Sequence, residues 1–90
     1  MTFEWDPLKA KSNLWKHRVS FEEATTALFD PLSKTATDPS HSVEEYRFIT
    51  FGTSARRRLL VVSYTERGEV IRLISARLAT KTERKMYEEP

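Results

Sequence analysis

Ninety residues with 39% apolar side chains and a net charge of +2 leave room for one domain over 1–90 and no second core. The absence of cysteine excludes a disulfide framework, a thiolate metal site and a cysteine nucleophile. Met1 to Pro7 does not read as a signal peptide, and the longest apolar run, Leu59 to Val62, is too short to span a bilayer, so a soluble cytoplasmic protein without a membrane partner is expected.

In chain order, Thr2 to Trp5 alternates and suits an edge strand. Asp6-Pro7 opens a helix, with Asp6 as cap and Pro7 preset for the first turn. Leu8, Leu14 and Trp15 give that helix an apolar stripe, and His17 and Arg18 occupy its last turn. Ser20 and Glu23 have capping-box spacing for a second helix, whose buried face is Phe21, Ala24, Ala27 and Leu28 and which Asp30-Pro31 stops. The two should form a helical hairpin.

Residues 31–45 read as a loop, with room for a short strand around Ser33 to Thr37. Three antiparallel strands follow: Tyr46 to Phe51, Arg58 to Thr65 and Val70 to Arg77, the last two joined by a tight turn at Gly68. Thr80 and Glu83 repeat the capping-box spacing for a final helix that Met86 and Tyr87 can dock. The expected fold is α+β in the order β-α-α-β-β-β-α, an antiparallel meander with the helical hairpin on one face.

Charge is divided unevenly. Residues 1–45 hold five Lys or Arg against eight Asp or Glu; residues 46–90 hold ten against five. Eight of those ten are arginine, whose rigid fork of donors suits phosphate. A solvated surface is the competing explanation.

Several stretches resemble the BrnT family of toxins: F-E-W-D-P-x-K at Phe3–Lys9, K-H-x-V-S-F-E-E-A at Lys16–Ala24, L-F-D-P at Leu28–Pro31, D-P-x-H-S at Asp38–Ser42 and E-x-R-F at Glu45–Phe48. The C-terminal half adds R-L-L-V-V-x-Y-T-E-R-G, I-R-L-I-S-A-R-x-A-T and E-R-x-x-Y, in order and with similar spacing. The resemblance implies a RelE-like fold and a ribonuclease that arrests growth by cutting RNA. It also implies a BrnA-like ribbon-helix-helix antitoxin, through which alone promoter DNA is bound. Two positions depart from the family, which commonly has glycine where this chain has Arg18 and Arg57.

Metal-free RNA cleavage needs a group to take the 2′-hydroxyl proton, a donor for the leaving oxygen and positive charge at the phosphate. His17, Arg67, Arg72 and Arg77 are the candidate catalytic groups; no metal site or cofactor is expected. His17 can equally cap its helix, and Arg77 can pair with Glu83 or Glu66. Arg47, Lys81, Arg84, Lys85 and Tyr87 are the candidate RNA-binding residues. Arg47 and Arg72 are expected on an exposed sheet face, with cross-strand pairing to Glu45 or Glu69 as the alternative. Tyr87 can stack on a base or pack on the sheet. His41 beside Asp38 is too loosely spaced for a metal site. Arg56, Arg57 and Arg58 should form a solvated turn. The rival function is a non-catalytic module acting as co-repressor, and a free toxin can dimerise through the surface its partner would cover.

Overall fold

A computed structural model describes residues 1–38 and 46–89. Its order is β1 (Thr2–Glu4), α1 (Pro7–His17), α2 (Phe21–Ala27), β2 (Lys34–Asp38), β3 (Arg47–Thr53), β4 (Leu59–Arg67), β5 (Val70–Leu78) and α3 (Lys81–Glu88). The five strands form one sheet in the order β1-β5-β4-β3-β2. The expectation of an antiparallel meander holds for β2 through β5 and fails at β1, which runs parallel to β5. The sheet is therefore mixed, and β2 adds a strand to the expected order. The parallel pairing follows from the chain path: α1 and α2 carry the chain away from β1, and the β4–β5 hairpin brings β5 back to its side.

The core lies on one face, here called inner. Phe21, Ala24 and Ala27 of α2 and Val19 pack against Leu60, Val62, Tyr64, Ile71, Leu73 and Ala76. Alternation decides this for Leu60, Val62 and Tyr64 and for Ile71 and Leu73, and an extra residue in β5 returns Ala76 to the same face. Burying Phe21 completely contributes about 2–3 kcal/mol. Gly52 lets α2 settle this closely: a Cβ there would stand 2.2 Å from the Ala27 carbonyl oxygen.

Both hairpin helices start as expected, Asp6 accepting from the Leu8 amide and Ser20 from the Glu23 amide. The Ser20 box is only half made, because the Glu23 carboxylate turns elsewhere. It accepts from Ser54 Oγ at 2.7 Å and from Arg58 Nε at 2.9 Å, with the Arg58 Nη2 bond closing a fork. Arg58 also reaches the Arg18 carbonyl. The expected solvated arginine turn is therefore corrected at Arg58, which is drawn inward by the buried Glu23; Arg56 and Arg57 do stay exposed. The Arg58 bonds hold the Glu23 carboxyl below its ordinary range against the opposing effect of burial.

The apolar stripe of α1 does not face the core. Leu8, Leu14 and Trp15 are 77%, 49% and 75% exposed. The helix instead turns Asn13 inward, where its amide donates to the Ala76 carbonyl and accepts from the Ala76 amide. β1 pairs only with Val70 to Arg72, which leaves the rest of that β5 edge open. Asn13 supplies the missing ladder bonds there, and this polar requirement overrides the hydrophobic pattern.

Candidate functional site

The outer face of the sheet has two unlike ends. At one end α3 is fastened across it. Arg77, opposite Val61, forms two parallel bonds to Glu83, at 2.7 and 2.9 Å. This fork holds the Glu83 carboxyl down at about 2 and raises Arg77. Tyr87 donates its hydroxyl to Asp30, which also accepts from the Thr53 amide at 2.8 Å. Burial works to raise the Asp30 carboxyl, and these bonds overcome it; the same carboxylate pushes the Tyr87 phenol up. Lys34 donates to the Met86 and Glu89 carbonyls at the end of α3. The full capping box at Thr80 and Glu83 starts the helix as expected, but Met86 stays 55% exposed, so docking falls to Tyr87.

At the other end no described helix crosses the face. Register places Asp38 opposite Arg47, Arg47 opposite Thr65, Thr65 opposite Arg72, and Arg72 opposite Glu4. One row thus crosses all five strands with two arginines standing about 10 Å apart, two strand spacings. Between them Thr65 is 3% exposed, and its Oγ1 is the one buried side-chain polar atom without a hydrogen-bond partner among the described residues. Such a hydroxyl costs about 1–3 kcal/mol when left unsatisfied. Arg72 lies 3.6 Å from Glu4, both half exposed, a contact of small energy. Arg67 is exposed at the end of β4, opposite Val70 and next along the same face.

A second cationic feature lies further along β5. Ser63 pairs with Ser75 but Tyr64 pairs with Leu73, so Ile74 is an extra, bulged residue. Ile74 and Ser75 form one wall of a groove of about 240 Å³ whose other wall is α1, with Lys9, Ser12, Lys16 and His17. The bulge and Asn13 together bring His17 beside the strand that carries Arg72.

The structure therefore gathers the expected groups into separate places. His17 lies in the α1–β5 groove, Arg47 and Arg72 share the open row, and Arg67 flanks it. Arg77 and Tyr87 are engaged in holding α3. Lys81, Arg84 and Lys85 line a shallow exposed patch on the same helix, where Arg84 is 3.8 Å from Glu88. His41 and Glu45 lie outside the described residues. Thr65, Ser75 and Asn13 escaped the sequence reading; Asn13 lies on the helix face opposite the apolar stripe, and all three needed the tertiary register. Among the described residues no cluster of three metal-ligating side chains is present, and no helix is long and apolar enough to cross a membrane.

Comparison with known proteins gives these features a context. The crystal structure of the Brucella abortus ribonuclease toxin BrnT superposes with a TM-score of 0.66 at 23% identity, covering 90% of this chain and 99% of that one. No curated protein matches by sequence. The family model for the ribonuclease toxin BrnT of type II toxin–antitoxin systems matches residues 5–83, nearly the whole domain described above. The chain belongs to the BrnT family of ribonuclease toxins.

Proposed function

We propose that the open end of the outer face binds an RNA backbone and that this toxin cleaves it without a metal ion. The observation that carries the reading is the row Arg47–Thr65–Arg72, two partly exposed arginines aligned on either side of one strand. A phosphodiester laid across the row would place its negative charge between two rigid forks.

In the proposed reaction the RNA 2′-hydroxyl attacks its own phosphorus, forming a cyclic phosphate and releasing the 5′-oxygen of the next nucleotide. His17 takes the 2′-proton, an imidazole being effective near neutral pH. Lys9 or Lys16 of the same groove protonates the departing oxygen. Arg72 and Arg47 stabilise the phosphorane as its charge grows, with Arg67 extending the backbone contact. Lys81, Arg84 and Lys85 steer the polyanion from α3. Arg77 and Tyr87 act by positioning that helix. The fold is taken as RelE-like, the cellular outcome as arrest of translation and growth in the cytoplasm, and the neutralising partner as a BrnA-like ribbon-helix-helix antitoxin.

Purified toxin should cut synthetic RNA in excess EDTA, leaving cyclic phosphate ends; activity lost in EDTA and restored by a divalent ion would refute the metal-free mechanism. Induction should arrest growth, and co-expression of the ribbon-helix-helix gene beside it should relieve the arrest. Undiminished toxicity in both Arg72→Ala and His17→Ala would discard the site.

A further inference from the structure

The mechanism above uses the side of α1 that faces β5 and leaves the opposite side unexplained. Leu8, Leu14 and Trp15 stand there in the open, and with Lys11, Ser12 and Arg18 they line a mostly apolar groove of about 550 Å³. Three large apolar side chains exposed on one short helix are not required by packing, because Asn13 and Ala10 already seat the helix.

Arg18 strengthens the argument. It occupies the left-handed region at φ 58°, a conformation costing roughly 1 kcal/mol more for arginine than for glycine. From there its guanidinium covers Trp15 at 5.7 Å from the ring centroid. The strained cap thus holds a cation on the groove's main aromatic.

We propose that this groove is the docking surface for the antitoxin, which inserts an amphipathic segment with apolar anchors flanked by carboxylates; the identity of the partner rests on the toxin reading above. Charge selects this occupant. The charged side chains lining the groove are Lys11 and Arg18, and from Pro7 to Val19 the chain carries no Asp or Glu to oppose them. A second copy docking here through the same helix would set like charges against each other. A nucleic acid backbone would find cations at the rim but only carbon at Leu8 and Leu14. An acidic amphipathic segment satisfies both the rim and the floor. Ser12 lines this groove and the His17 groove alike, so a partner seated here stands at the edge of the proposed nuclease site.

The test is titration of the purified cognate antitoxin into wild-type toxin, Trp15→Ala, Leu8→Asp and the control Met86→Ala. Trp15 and Leu8 are solvent-exposed, so both variants should keep the wild-type melting temperature. Each should weaken antitoxin binding at least ~30-fold, as for a central interface anchor, while Met86→Ala does not. In cells both toxins should remain toxic despite co-expressed antitoxin. Wild-type affinity in Trp15→Ala and Leu8→Asp overturns the proposal. So does weakened binding of a synthetic RNA with antitoxin affinity intact, which assigns the groove to RNA. Loss of a toxin dimer by sedimentation with antitoxin affinity intact assigns it to a second copy and also overturns it. Binding is read without catalysis, so a wild-type toxin that fails to cut RNA would sink the nuclease mechanism and leave this result standing.

Discussion

The two ends of the outer sheet face carry similar residues in opposite circumstances. Arg77 and Arg72 sit on one strand and point to one side, five positions apart across a bulge. Arg77 meets Glu83 in a two-bond fork that draws the carboxyl down to about 2. Among the described residues Arg72 has only Glu4, at 3.6 Å and half exposed. The first arginine belongs to the fold, because leaving it would orphan a partly buried carboxylate and release α3. The second can exchange its partner for a phosphate at little cost, since exposed ion pairs contribute at most about 1 kcal/mol. Residue type does not separate a firmly held arginine from a loosely held one; the geometry of the opposing acid does.

The largest effect that would break this contrast is on catalysis. Arg72→Ala should lower RNA cleavage by about 100-fold, the loss expected when one transition-state donor is removed, with an unchanged melting temperature. A dead enzyme that is equally destabilised would put Arg72 in the same class as Arg77. Arg77→Ala should reverse the pattern, with stability falling by about 1–2 kcal/mol as Glu83 loses its donors. Adding Glu83→Gln to Arg77→Ala should recover part of that loss in a thermal melt. If Arg77→Ala abolishes cleavage at full stability, it is catalytic after all.

Thr65→Val sharpens the comparison from the open end. Removing an unsatisfied buried hydroxyl should stabilise the protein by about 1 kcal/mol. A hydroxyl already satisfied within the fold would give a destabilised variant instead. At the fastened end, acid should reveal Glu83. Its carboxyl titrates lower in the folded protein than in the unfolded chain, so its contribution is complete above about 4.5 and is lost as pH falls toward about 2. Urea midpoints measured through that window should fall more steeply for wild type than for Glu83→Gln. The smallest effect lies in the turn that joins β3 and β4. Arg57, at φ 62° in the turn before β4, should gain about 1 kcal/mol on replacement by glycine, raising the melting temperature by about 4–8 °C without altering cleavage.

Much of this could be read along the chain. Asp6-Pro7, Ser20 and Thr80 marked the starts of all three helices, because capping is a local transaction between a side chain and amides two or three residues on. The alternation in β3 and β4 separated an apolar phase from a polar one, while in β5 the bulge at Ile74 interrupts it and puts Ala76 in the core with Ile71 and Leu73. The glycine departures at Arg18 and Arg57 marked the two non-glycine residues with positive φ among the described residues. The ordered motifs also carried the family, which the match over residues 5–83 shows.

Other features depended on partners distant in sequence. The stripe of Leu8, Leu14 and Trp15 had the right spacing for a core face, but the open edge of β5 needed hydrogen bonds and only Asn13 could supply them, 63 residues away from Ala76. Glu23 and Arg58 were legible as a cap and a turn charge until tertiary packing placed them together and buried the acid. Local order thus came from bonds between near neighbours, which a sequence displays directly. Register, the parallel seat of β1 and the choice of which arginine stays available came from long-range polar satisfaction, which exists only once the sheet has closed around its helices.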